Sequence, residues 1–114
     1  MFKFVTLYRR VDEEITLENF FAQKNLPLAE KLPGLVKSEV SRVLGKPGGE
    51  SRFHLMYELY FETSETFYQS LESDPGKELM NELKEWADAK LITWFYCDSF
   101  EELTDDRLES QDVS

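Results

Sequence analysis

Two short stretches of this chain predict β-strands, residues 3–9 and 52–62, and along the second of them apolar side chains recur at every second position. Both stretches are rich in β-branched and aromatic side chains, which favours β-strands. In the second stretch one set of alternate positions is apolar throughout, so we predict that it faces the core. That set is Phe53, Leu55, Tyr57, Leu59 and Phe61, and the opposite face carries His54, Met56, Glu58, Tyr60 and Glu62.

An amphipathic helix is predicted between the first two strands, with Thr16 as its N-cap. The apolar positions recur at helical spacing, which predicts packing against a sheet. They are Leu17, Phe20, Phe21, Leu28 and Leu32. Because Pro27 has no backbone N–H, we expect the helix to bend or restart there, and Pro33 with Gly34 should end it.

The middle of the chain predicts a hairpin. Residues 35–44 and 52–62 read as strands, and the segment between them, residues 45–50, contains three glycines and a proline. A chain that turns back over so few residues brings its two strands together as antiparallel neighbours.

Two helical pieces and a strand complete the domain. Thr63 or Ser64 can cap the first piece, and Asp74 is predicted to cap the second, with Pro75 in its first turn. Residues 91–97 are apolar on both faces, as in a covered strand. The resulting order of strand, helix, strand, strand, helix, strand predicts an α+β, ferredoxin-like split β-α-β fold with a four-stranded antiparallel sheet.

The length of 114 residues and the hydrophobic content of 41% suit one compact domain, which we place at residues 1–98. Residues 99–114 begin with a Ser-x-x-Glu capping pattern but then become acidic and poor in apolar side chains. We interpret them as an acidic tail with a short helix at its start, either solvated or wrapped around a partner.

Both predicted helices should cover the same face of the sheet, which leaves the other face open. That face would carry Met56, Tyr60 and one of two sets from the last strand. The sets are Ile92, Trp94 and Tyr96, or Leu91, Thr93 and Phe95. An exposed apolar face of this size predicts a partner, and a two-fold homodimer is the commonest closed arrangement.

The charge balance excludes several classes of partner. Thirteen basic and 23 acidic residues give a net charge of −10, which repels nucleic acid and anionic membranes. No apolar stretch approaches the ~20 residues needed to span a bilayer, and no signal-peptide pattern is visible. Cys97 is the only cysteine, so no intrachain disulfide can form. We therefore expect a cytoplasmic protein with neither nucleic-acid nor membrane partners.

Four segments of the chain resemble the EthD-like family: residues 25–35, 39–43, 58–64 and 73–77. The resemblance covers roughly residues 3–98 and implies a dimeric α+β barrel, related in fold to cofactor-independent monooxygenases, polyketide cyclases and muconolactone isomerases. The founding members accompany oxidative ether degradation. The resemblance thus implies a cofactor-free dimeric enzyme or enzyme accessory of oxidative metabolism that binds a small apolar or aromatic compound between helix and sheet.

Many relatives carry His-x-Pro-Leu where this chain has an asparagine, Asn25, followed by Leu26, Pro27 and Leu28. An amide cannot act as a general base near neutral pH. His54, the only histidine, is the remaining candidate for acid–base catalysis, and a packing or interface role is the alternative. We expect His54 and Glu58 on one face of a strand, ~13 Å apart, so they can pair only across a dimer axis.

The predicted ligand-binding residues are Tyr8, Phe21, Asn25, Leu28, His54 and Tyr57. The aromatic residues of this set, together with Phe20 and Trp86, are predicted either to line a pocket or to fill the core. Asn25 contacts a ligand or caps the helix that restarts at Pro27.

No metal or nucleotide site is predicted, because the one histidine and the one cysteine are far apart and no glycine-rich loop opens a helix. Two functions remain open. The first is the dimeric enzyme or accessory, with a monooxygenase-like or a cyclase- or isomerase-like activity if it is catalytic. The second is a non-catalytic dimeric module that binds or senses a small molecule on the same fold.

Overall fold

A computed structural model describes residues 1–101 as a four-stranded antiparallel sheet with helices on one face. The strands are β1 (Phe2–Arg9), β2 (Lys37–Arg42), β3 (Phe53–Phe61) and β4 (Ile92–Asp98), in the order β2-β3-β1-β4. The helices are α1 (Glu14–Phe20), a π-helical turn (Phe21–Asn25), α2 (Leu26–Glu30), α3 (Ser64–Leu71) and α4 (Asp74–Asp88). The predicted ferredoxin-like fold is confirmed. The acidic tail lies, from residue 102 onward, outside the described residues.

The core lies between the helices and one face of β1 and β3. Phe67 of α3 packs between Phe4 and Phe61, with ring centroids 5.3 and 5.2 Å away. The predicted alternation of β3 holds for the four core residues Leu55, Tyr57, Leu59 and Phe61, all of which are buried. None of the helices in residues 1–101 is long and apolar enough to cross a membrane.

Two predicted helix starts are wrong, the first by three residues and the second by one. The first helix begins at Glu14, with Glu13 instead of Thr16 as its N-cap residue, and Glu14 in the first turn pairs with Arg10. At α4 the N-cap is Ser73, not Asp74, and its hydroxyl accepts the N–H of Gly76 at 3.2 Å. The predicted cap of α3 is correct, since Thr63 Oγ1 accepts a backbone N–H at 3.1 Å.

The first helix changes its geometry before Pro27. Phe21–Asn25 form a π turn, which holds one residue more than an α turn. Pro27 follows in α2 without a break in the helix, because Asn25 and Leu26 keep helical backbone angles, and its missing N–H leaves a carbonyl of the preceding turn without a helical donor. The buried residue Asn25 is thereby placed at the junction of the two helical segments.

A β-bulge interrupts β3 next to the end of β1. Tyr8 pairs with Leu55, but Arg9 pairs with Phe53, so His54 is an extra residue between two regular pairs. Such a bulge shifts the alternation of side chains by one position.

The bulge turns His54 toward α1, where its ring contacts Glu18, while Glu58 bonds to Lys3 on the open face. The prediction that His54 and Glu58 share a face is therefore wrong. Phe53, predicted to be a core residue, is half-buried and lies outside the core cluster. Strict alternation cannot anticipate the extra residue.

The face of the sheet opposite the helices is uncovered. Strand pairing places on it Lys3, Val5, Leu7, Met56, Glu58, Tyr60, Thr93 and Phe95. Of the two alternatives for the last strand, the set with Thr93 and Phe95 therefore lies on the open face. Lys3 Nζ donates to Glu58 Oε2 at 2.7 Å, and this hydrogen bond raises the pKa of Lys3.

Candidate functional site

An apolar cavity of about 370 Å³ opens where the β1–α1 loop meets α1 and α4. Its apolar lining consists of Val11, Leu17, Phe20, Trp86 and Leu91, and its polar lining of Asp12, Glu13 and Thr16. Hydrocarbon walls with a few polar groups are typical of sites for small organic ligands. The cavity can therefore take a small apolar or aromatic molecule.

A chain of hydrogen bonds crosses the core from β1 to α4. The Tyr8 hydroxyl donates to Asn25 Oδ1 at 2.9 Å, and Asn25 Nδ2 donates to Glu82 Oε1 at 3.1 Å. Tyr8 and Asn25 are both completely buried, and burial raises the pKa of Tyr8, so its hydroxyl remains a donor. The Asn25 side chain makes no capping bond to α2 and instead joins three elements of the fold.

Trp86 connects the cavity to this chain. Its ring lies 4.7 Å from that of Phe20, a second cavity residue, and 5.5 Å from Tyr8, which it meets edge-on. Phe21 lies 5.4 Å from Tyr8 and 4.9 Å from Tyr57. Four of the predicted ligand-binding residues, Tyr8, Phe21, Asn25 and Tyr57, thus form one packed cluster that reaches the cavity through Trp86. Leu28, on α2, packs against the same core.

His54 lies in a separate charged cluster. Its Nε2 is 2.6 Å from Glu18 Oε2, and its Nδ1 is 3.7 Å from Glu14 Oε2. Glu18 also accepts two hydrogen bonds from Arg42, at 3.0 and 2.8 Å. These bonds, those of Arg42 first, lower the pKa of Glu18 to about 2. His54 does not line the apolar cavity.

The described residues, 1–101, include no group of three His, Cys, Asp or Glu side chains placed to hold a metal ion.

The sequence did not identify the cavity lining as a set. Thr16, Leu17 and Phe20 share one side of α1 by helical spacing, and this was the available signal. Phe20 and Trp86, predicted either to line a pocket or to fill the core, both line the cavity. The cavity forms because α1 and α4 meet beside the β1–α1 loop. A local sequence pattern cannot predict such a long-range contact.

Comparison with known proteins identifies a close structural relative. No family model matches the chain, and no curated protein sequence does. Among solved structures, the chain is similar to an ethyl tert-butyl ether D (EthD) family protein from Bacillus halodurans. The two are 31% identical with a TM-score of 0.80, and the match covers 88% of this chain and 99% of that one.

Two more distant structures share the fold alone. A cofactor-independent oxygenase from Streptomyces nogalater is 14% identical, with a TM-score of 0.58 over 90% of this chain and 94% of that one. A dimeric protein of unknown function with a ferredoxin-like fold, from Bacteroides fragilis, is 15% identical, with a TM-score of 0.57 over 86% of this chain and 95% of that one.

Proposed function

Because this chain belongs to the EthD family, we propose that it is a dimeric enzyme or enzyme accessory of oxidative metabolism that binds a small apolar or aromatic compound. The observation that carries the proposal is the apolar cavity of about 370 Å³ beside Trp86. The family name refers to ethyl tert-butyl ether, a small apolar molecule, and hydrocarbon walls favour such ligands through the hydrophobic effect.

The open face of the sheet supports a homodimer. Leu7 and Phe95 contribute apolar surface there, and Phe95 is 41% exposed, whereas Val5 between them is already buried. The charges of Lys3 and Glu58 are already paired, which lowers the cost of burying them against a second sheet. A related fold in Bacteroides fragilis is described as dimeric. Two such sheets packed face to face would form an α+β barrel.

Two carboxylates in the lining of the cavity are the candidates for proton transfer. Asp12 and Glu13 are the ionisable side chains there, whereas His54 is bonded to Glu18 and the Asn25 amide to Tyr8 and Glu82. A cofactor-free oxygenation or isomerisation would begin when one of these carboxylates removes a proton from the bound compound. Because the apolar walls do not stabilise a negative charge, the compound itself must delocalise the carbanion, and in an isomerisation the protonated carboxyl would return its proton to another carbon of the compound.

A non-catalytic binding or sensing module is the second candidate. Asn25 stands where many relatives have a histidine, and its amide is hydrogen-bonded to Tyr8 on one side and to Glu82 on the other. This observation favours the binding module. A side chain held in this way supports the fold and has no free group to exchange a proton. The ligand would occupy the same cavity.

Thermal stabilisation by a panel of quinones, anthrones, lactones and ethers tests the proposal, because a ligand of the folded state raises the melting temperature. Thr16→Phe introduces a ring into the cavity from an exposed position of α1 and should abolish the rise. Asn19→Phe, equally exposed on α1 but outside the lining, should retain it.

Turnover of the stabilising compound, with and without oxygen, separates the two candidates. Turnover that Thr16→Phe abolishes and Asn19→Phe retains supports the enzyme. Stabilisation without turnover supports the binding module. If no compound of the panel raises the melting temperature of the wild type, the proposed ligand class is wrong.

A further inference from the structure

A second, polar cavity of about 490 Å³ adjoins the apolar one. The two cavities have two lining residues in common, Val11 and Asp12 of the β1–α1 loop. The two cavities thus lie on either side of this loop, close enough for one elongated ligand to contact both.

The polar cavity concentrates positive charge in an acidic protein. Its basic lining residues are Arg9, Arg10, Lys46 and Arg52, and its acidic ones are Asp12, Glu14 and Glu50. The four basic and three acidic residues give a local charge of +1, against −10 for the chain. Within residues 1–101, Arg10 pairs with Glu14, and the other three basic residues form no ion pair.

Hydrogen bonds hold this cluster in place. The Arg10 backbone N–H donates to the Arg52 carbonyl at 2.7 Å, and Arg10 Nε donates to the Ser51 carbonyl at 3.2 Å. Lys46 and Gly49 exchange two backbone bonds, at 2.9 and 3.0 Å, that close the β2–β3 turn. The backbones that carry the basic side chains are thus fixed before a ligand arrives, which reduces the ordering that binding requires.

We propose that the natural ligand is an amphipathic carboxylate, with its apolar body beside Trp86 and its carboxylate beyond Asp12 among Arg9, Lys46 and Arg52. This inference rests on the proposed function and specifies the class of compound. A guanidinium binds a carboxylate through two parallel hydrogen bonds, and the negative field of the rest of the chain disfavours anions elsewhere. Asp12 opposes the ligand's charge, so its removal should strengthen binding.

Two probes with the same ring system test the role of charge: 2-naphthoate and the neutral 2-naphthalenemethanol. Calorimetric titration of the full chain should give about tenfold tighter binding of the anion, the effect of a charge-assisted hydrogen bond. Arg52→Gln should weaken naphthoate binding by about fivefold to tenfold and leave the alcohol within about twofold. Asp12→Asn should strengthen naphthoate binding by about twofold to fivefold, because it removes a like charge.

Lys84→Gln is the matched control, since it removes a positive charge from α4 at a position outside both cavities. Lys46→Gln is a second test variant in case Arg52→Gln does not fold, which circular dichroism would reveal. Equal affinity of the wild type for the two probes, or unchanged naphthoate affinity in both Arg52→Gln and Lys46→Gln, would overturn the inference and leave the apolar cavity as a site. If neither probe binds the wild type, the proposed cavity function fails and the inference fails with it.

Discussion

His54 Nε2 lies 2.6 Å from Glu18 Oε2 and thereby ties β3 to α1. Arg42 of β2 donates twice to the same carboxylate, so one side of α1 is bonded to two neighbouring strands. Leu17 and Phe20 of the same helix line the apolar cavity. The position of that cavity wall therefore depends on the hydrogen bonds that Glu18 makes with His54 and Arg42.

Glu18→Gln should lower the free energy of unfolding by about 1 kcal/mol at pH 6. The pKa of Glu18 is lowered from 4.5 to about 2 by Arg42 and His54, so its carboxylate stabilises the folded state when ionised. The expected loss is smaller than the full pKa shift would give, because the carboxylate side chain is 30% exposed and solvent screens its charge.

Urea titrations of wild type and variant over a range of pH test the origin of this loss. A group with a lowered pKa contributes fully above its unfolded value of 4.5 and loses that contribution as the pH falls through about 2. The difference between the two proteins should therefore disappear over that interval. Glu78→Gln, at an exposed position of α4, should match the wild type throughout. A difference that persists unchanged at pH 2 would rule out the carboxylate as its cause.

Asn25→Asp should cost about 3 kcal/mol of stability in chemical denaturation. The introduced carboxylate can still accept from Tyr8, but it loses the donor to Glu82 and places a second negative charge beside it in a completely buried position. Glu82→Gln alone should cost no more than about 1 kcal/mol, because its amide oxygen can still accept from Asn25.

The double variant, Asn25→Asp with Glu82→Gln, should recover about 1–2 kcal/mol, because a glutamine N–H can donate to the aspartate. Simple addition of the two single losses would show that Asn25 and Glu82 do not interact.

Gly76→Ala should cost about 2–3 kcal/mol, as overpacking does where backbone must move. A methyl group there would lie 2.7 Å from Leu71 Cα and would also meet the carbonyl oxygen of Ser70. These are backbone atoms, so α3 and α4 would have to separate. Lys77→Ala, the exposed neighbour, should stay within about 0.5 kcal/mol of the wild type. Wild-type stability of Gly76→Ala would contradict this close approach of the two helices.

Phe95→Glu should convert the proposed dimer to a monomer, because it places a charge within the apolar open face of the sheet. Sedimentation at micromolar concentration should then give the chain mass of 13.4 kDa, and twice that mass for the wild type. Ile15→Glu, at a position 78% exposed on the helix side, should remain dimeric. A monomeric wild type would refute the dimer.

Local patterns predicted the order of helices and strands along the chain, because alternation and helical spacing are properties of consecutive residues. They also predicted the alternate core residues of β3 from Leu55 to Phe61. They failed at His54, since the bulge arises from the pairing of Arg9 with Phe53 across two strands. Local patterns could not predict the cavity either, because its walls come from residues that are distant in sequence. Phe20 and Trp86 meet only after α1 and α4 have packed on the sheet.

The π turn at Phe21–Asn25 gives the first helix one residue more than a regular helix would hold over the same rise. Such a turn is equivalent to a one-residue insertion absorbed on the spot, and its middle positions, Ala22 to Lys24, are exposed. Deletion of one residue at these exposed positions would therefore change which side chain faces Tyr8, while Leu17, ahead of the turn, keeps its place on the sheet.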